Sequence, residues 1–384
     1  VSKRIAVLTG GGHVGSWNAG ISGVLAKAKE YDWEVYGSLR GWEGMQEGNF
    51  VELSGTEVEK VGLRSRGGSI ICSSRTRPDM EKVVGSLSEN DIDGVIGMGG
   101  DDTLGALADL SEEGVPVAGW PKTMDNDLSE TYFCLGYPSA VKEAAQALRE
   151  GMDTAITHHR ILLVTMFGRD SDWVVAGGAC YGEADMLIPA ETTVELDEIY
   201  GKMMDIYERN GSEYRSTKGF ATVAIAEGAS IEGLESHVKK DEIAMDEFGH
   251  PKLSPNDLVS NLSDTVRERS KKEGRAVKTA PMALTYQMRN GAPLKLEEEL
   301  GAMAGEYCVE MLERGDSGNL AALQYDDVFH IRPAPLEEAT EVRMVAKDMP
   351  ELIDYEEMEV NEEAFLEYGE PFLGGKKERI APFF

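Results

Sequence analysis

VIGMGGDDTLGA at residues 95–106 and PKTMDNDL at residues 121–128 decide how this chain reads. Each acidic cluster follows a short apolar run, VIGM in one case and VPVAGW in the other. Carboxylates placed directly after such runs fit the C-terminal ends of two strands in an open α/β sheet, where ligand crevices form. Gly99 and Gly100 let backbone come close to a phosphate, and Asp101 and Asp102 offer the hard oxygen ligands that suit Mg²⁺. Lys122, Thr123, Asp125, Asn126 and Asp127 are supplied to the same crevice. Two adjacent aspartates repel one another unless a cation compensates, which favours a functional origin for the pair. Glycines, a cation site and a possible base together point to phosphoryl transfer.

Outward from this centre the chain alternates strands with helices. RIAVLTGGG (4–12) reads as a strand entering a glycine loop, and NAGISGVLAKAKE (18–30) as the helix after it. Gly10, Gly11 and Gly12 form a candidate phosphate cradle, although a tight strand-to-helix turn would need the same glycines. SIICSSRTRP (69–78) reads as a strand running into a loop that carries Arg75 and Arg77. SAVKEAAQALREGMDTA (139–155) has helical spacing and leads to ILLVTMFGRD, a buried strand ending at Gly168 and Arg169. Arg160 and Arg169 bracket that strand and should emerge at opposite ends of it. GFATVAIAEGA (219–229) is a further strand, ending at Glu227, and LVSNLSDTVRERSKKEG (258–274) a further helix. Residues 229–256 read as a surface excursion, and the acidic, then aromatic tail from 349 as a segment that docks on the body or on a neighbouring subunit. The alternation predicts an α/β protein with parallel, doubly wound sheets.

Composition narrows the possible partners. With 41% hydrophobic and 28% charged residues over 384 positions, the chain suits two globular lobes with substantial cores. A net charge of −31 argues against nucleic acid and anionic membranes, and requires any anionic substrate to be held by a local basic pocket. An acidic surface adapted to high salt is a second reading of that charge, weakened by the abundance of lysine. No apolar run is long enough for a membrane span, no signal peptide is legible, and the four scattered cysteines form no CxxC pair. A cytoplasmic, reduced protein is expected. The adjacent His158 and His159 do not make a metal site.

The motifs taken together resemble the phosphofructokinase family up to about residue 345. LTGGG…NA, RGG…SSRT, GGDDT, PKTMDND, HRI…FGR, AIAEG and YQMRNG stand in that family's order and spacing. The resemblance implies two Rossmann-like lobes with parallel sheets and the active site in the cleft between them. A donor lobe is expected from residues 1–138 and 288–337, and a sugar-phosphate lobe from 139–287 and 338–384. Aspartate at position 102, where ATP-using members usually carry glycine, implies pyrophosphate as donor, because its carboxylate repels a nucleotide α-phosphate. Gly11, Arg75, Asp101, Asp102 and Lys122 would hold Mg²⁺-pyrophosphate, with Asp101 toward the metal. Thr123, Asp125 and Asp127 would lie at the transfer point, with Asp125 as base and Lys122 and Arg169 neutralising charge. Gly168, Arg169, Glu227 and Tyr286 would face the sugar, and Arg160 and Arg289 its 6-phosphate, Arg160 coming from a neighbouring subunit of a dimer or tetramer.

The implied reaction is a glycolytic one, reversible phosphorylation of fructose 6-phosphate at C1. The alternatives are an ATP-dependent enzyme, a non-catalytic member that binds sugar phosphate, or another sugar phosphate such as sedoheptulose 7-phosphate. Several positions depart from the family pattern. His13 replaces an aspartate, Gly15-Ser16-Trp17 replaces a proline-glycine-aliphatic run, Phe167 replaces a methionine and Tyr286 a frequent histidine. Ala280 falls where a second 6-phosphate arginine is expected, with Lys278 or Arg275 available to substitute.

Overall fold

The structure is a computed structural model and describes residues 2–55, 62–213, 218–234 and 253–376. Its described residues group into two compact units. One takes the chain to Ser139 and again over Arg289–Arg343, and the other takes Ala140 to Met288 and the chain from Met344 onward.

The first unit is built on a sheet whose five inner strands are parallel, in the order 319–325, 117–123, 94–99, 4–9, 34–38. Antiparallel strands 329–335 and 50–52 close its two edges. Strands 4–9, 94–99 and 117–123 are buried along almost their whole length, which is why they read as continuous apolar runs rather than alternating ones. From strand 4–9 the chain passes first to 34–38 on one side and later to 94–99 on the other. Between 4–9 and 94–99 lies the topological switch point of this sheet, the position where open α/β sheets bind ligands. Helices 17–30 and 295–314 pack closely: a Cβ on Gly23 would lie 1.9 Å from the Ala302 carbonyl oxygen.

The second unit has a four-stranded, all-parallel sheet in the order 278–283, 160–166, 221–226, 186–188. Its tail helix Glu362–Leu373 docks through Phe365, Tyr368 and Phe372, with Tyr368 against Trp173 and Phe365 against Tyr181. The docking expected of the tail is thus seen up to residue 373, while the final APFF lies outside the described residues. Most of the 229–256 excursion also lies outside them. Among the described residues no helix is long and apolar enough to cross a membrane. All four cysteines are free thiols.

One expected strand is absent. Residues 69–72 form a turn in which Cys72 has φ 60°, so SIIC cannot continue as extended chain, and only Ser74 pairs, by a single bridge to Gly10. The apolar pair Ile70-Ile71 gave a strand-like pattern, but Ile71 is used instead as a plug, buried beside Gly37.

Candidate active site

In the first unit the predicted residues gather at the C-terminal ends of three neighbouring strands. After strand 4–9, the Gly10 amide still bonds the Met98 carbonyl, the Gly11 amide bonds the Ser74 carbonyl, and Ser73 donates to the Gly11 carbonyl. The glycine loop is therefore backed by the segment that leads into Arg75. Gly11 has φ 78°, the left-handed region, and a Cβ there would meet Lys122 Nζ at 3.3 Å. At Gly12 a Cβ would lie 1.7 Å from Nη1 of Arg289, so the arginine would have to give way. Cations thus press against backbone at both glycines.

Asp101 and Asp102 open helix Asp101–Glu112 and form its first turn. The helix N-terminus partly offsets their mutual repulsion, a compensation that the strand-end reading omitted. Lys122, 3% exposed, ends the neighbouring strand and donates from Nζ to the Gly12 carbonyl at 2.9 Å. Its ammonium stands 4.9 Å from the centre of the Trp17 ring. Burial, then Arg289, lowers the lysine pKa to about 7, with Asp125 pulling upward, Arg75 downward and Asp101 upward.

The TMDND turn is rigid. The Asp125 amide bonds Thr123 Oγ1, Asn126 has φ 57°, and its buried Oδ1 accepts from the Cys134 amide. Arg343 clamps the turn by donating to the carbonyls of Asn126, Thr131 and Tyr132. Sequence reasoning missed Arg343, and its distance along the chain carries no signal for it. Asp127 is pushed well above the usual carboxylate range by burial and then by Asp125 and Asp101, and its buried Oδ1 has no hydrogen-bond partner among the described residues.

The charge pattern tests whether a divalent cation fits here. Among the described residues no group of three or more His, Cys, Asp or Glu side chains makes a preformed metal cage. Mg²⁺ does not need one, since it is commonly held by one or two carboxylates, substrate phosphate oxygens and water. An orphaned carboxylate oxygen beside two further carboxylates fits that mode.

In the second unit Gly168 and Arg169 follow strand 160–166, Glu227 follows 221–226, and Tyr286 opens a turn after 278–283. All four sit at the C-terminal edge of one sheet. The loop that carries Arg169 is anchored from behind. The Asp172 carboxylate accepts from the Ala190 amide at 2.7 Å and from the Tyr355 hydroxyl at 3.1 Å. Glu191 in turn accepts from the amides of Asp172, Val345 and Ala346. Burial, with Glu191 adding to it, raises Asp172 to about 6. This acid pair was not singled out from the sequence, although Asp172 stands at the N-cap of helix Trp173–Gly182. Two departures from the family pattern prove to be neighbours: the Phe167 and Tyr286 rings pack edge to face at 6.3 Å.

Arg160 starts its strand, so it lies at the other edge of this sheet from Arg169, the six steps of strand 160–166 spanning about 20 Å between the two edges. It is paired in register with Lys278, and Ala280 pairs with Leu162 further along. Ala280 thus brings no cation to this strand, whereas Lys278, two residues earlier, stands directly opposite Arg160. Arg275 is held by Glu208 and Glu273, whereas Lys278 is exposed and makes no ion pair among the described residues. Arg289, expected at the sugar phosphate, sits in the first unit against Gly12.

The switch-point sheet of the first unit and the glycine–carboxylate–lysine cluster at its edge are those of a phosphotransferase of the phosphofructokinase family, to which this chain belongs: the family profile Phosphofructokinase matches residues 4–312. Among its relatives, the pyrophosphate–fructose 6-phosphate 1-phosphotransferase of Dictyoglomus thermophilum is 33% identical over 330 residues, covering 85% of this chain and 90% of that protein. The ATP-dependent 6-phosphofructokinase 3 of Streptomyces coelicolor is also 33% identical, over 332 residues, covering 85% and 92%. The solved pyrophosphate-dependent phosphofructokinase of Marinobacter aquaeolei shares the fold with a TM-score of 0.77 at 18% identity, covering 99% of this chain and 94% of that one.

Proposed function

We propose that the chain transfers a phosphoryl group reversibly from pyrophosphate to the C1 hydroxyl of fructose 6-phosphate, giving fructose 1,6-bisphosphate and phosphate. The observation that carries the donor assignment is Asp102 in the first turn of helix 101–112, beside the glycine loop. A carboxylate there repels the α-phosphate of a nucleotide and leaves room for a two-phosphate donor. Gly11, Arg75, Asp102, Lys122 and Arg289 bind the donor, and Asp101 is the metal ligand, with Asp127 close by. Bound Mg²⁺ supplies charge neutralisation on the donor oxygens. Asp125 takes the proton of the C1 hydroxyl, and Thr123 orients the acceptor. Gly168, Arg169, Glu227 and Tyr286 hold the sugar, with Arg169 neutralising the transferring group. Catalysis on this reading is mainly positioning and electrostatics.

The sugar 6-phosphate is assigned to Arg160 with Lys278. Because Arg160 lies across the sheet from Arg169, this pair serves the substrate of a neighbouring copy, which makes the working enzyme a homo-oligomer. Lys278→Ala is expected to raise the KM for fructose 6-phosphate about tenfold or more, the loss of one charge-assisted contact. Ala280→Arg should leave it unchanged. Steady-state kinetics of both variants check the assignment, and the reverse ranking would return the missing contact to position 280.

ATP as donor is the second reading, supported by the ATP-dependent relative at equal identity. Purified protein with Mg²⁺ and fructose 6-phosphate, assayed with pyrophosphate and with ATP, separates the two. Turnover with ATP alone would overturn the donor assignment.

A further inference from the structure

We infer that Trp17 is a positioning residue that fixes the Lys122 ammonium at the donor site, an inference that rests on the reading of Lys122 as a donor ligand. At the two positions where the family resemblance implies an aliphatic residue and an aspartate, this chain has the rings of Trp17 and His13. Trp17 is 2% exposed at the start of helix Trp17–Glu30, so its ring is fixed by the packing around it. It meets the ammonium at 4.9 Å, and the His13 ring packs against it edge-on at 5.8 Å.

The geometry leaves Lys122 few alternatives. Its side chain is buried, so water cannot solvate the ammonium freely, and one of its three donors is spent on the Gly12 carbonyl. Arg289 and Arg75 repel it, while the charges of Asp125 and Asp101 attract it. The indole face is the attractive surface that a buried cation in this position can use without losing charge to a carboxylate. An aspartate at position 13 would instead compete with an incoming anion for Lys122. Imidazole removes that competitor: burial lowers the His13 pKa against a hydrogen bond with the Arg289 backbone that raises it, and the charges of Lys122 and Arg289 lower it further, which favours an uncharged ring. The ring pair thus holds the lysine without neutralising it, and leaves its remaining hydrogens for an anionic donor.

The test is pyrophosphate binding by titration calorimetry in the presence of Mg²⁺, together with separate KM values for donor and sugar. Trp17→Leu is expected to weaken pyrophosphate binding about tenfold and leave the sugar KM unchanged, and Trp17→Phe should restore most of the loss. Fluorinated tryptophans incorporated into the wild-type sequence keep the packing and withdraw charge from the ring face. They should weaken donor binding stepwise with fluorine number, and lose this effect in Trp17→Phe. Folded Trp17→Leu with unaltered donor binding, or no fluorine dependence in the wild type, would overturn the inference while a defect in Lys122→Ala left the donor reading standing. Undiminished pyrophosphate binding in Lys122→Ala would overturn both.

Discussion

Asparagine in place of Asp125 is expected to lower kcat by at least about 10²-fold, the lower range for loss of a general base, with little change in the KM for fructose 6-phosphate. Asparagine has nearly the same shape, and the turn around it is fixed by other groups: the amide bond to Thr123, the left-handed Asn126 and the Arg343 clamp. The substitution therefore removes a proton acceptor without releasing the loop. A thermal melt matching that of the parent protein, beside steady-state kinetics with Mg²⁺ and pyrophosphate, completes the measurement. Turnover within about threefold of the parent, well inside the 10²-fold range for a lost base, would exclude Asp125 from that role.

Lys122→Met should weaken pyrophosphate binding by about 10- to 100-fold, as expected for losing a hydrogen bond to a charged group, and should also change its pH dependence. In the folded protein without donor, the lysine pKa is lowered to about 7, so above that pH the amine is mostly uncharged. A bound anion favours the ammonium, so donor binding above pH 7 must draw in a proton, and affinity must fall as pH rises through that range. Pyrophosphate has its own titration, so the informative quantity is the difference between parent and Lys122→Met. Calorimetry at pH 8 in buffers of different ionisation enthalpy should show proton uptake in the parent that the variant lacks. Equal uptake in both would mean that Lys122 does not meet the donor.

Strand ends and glycine loops were legible because parallel strands buried on both faces leave continuous apolar runs, and because phosphate sites require glycine where backbone or cations come close. Strands 4–9, 94–99, 117–123, 160–166 and 221–226 were all readable in this way. Residues 69–72 were not, since two isoleucines and a cysteine look extended whether they form a strand or fold back as a plug. Lys278 was legible as a substitute for the missing arginine, but its pairing with Arg160 comes from sheet register, which nothing local in the sequence displays. Arg343 and Glu191 are supports whose importance comes from tertiary contacts that nothing local marks, and the N-cap position of Asp172 signals a helix start rather than its role as an anchor.

The basic pocket around Lys122, Arg75 and Arg289 is set in a chain whose net charge is −31. A polyanion diffusing toward it meets repulsion at long range and attraction only on arrival. Added electrolyte shortens the first field, from a reach of about 10 Å at 0.1 M to about 3 Å at 1 M, while contacts inside a desolvated pocket are much less affected. Capture of the phosphoryl donor should therefore quicken as brine is added, the reverse of the behaviour of a basic protein that recruits anions by steering.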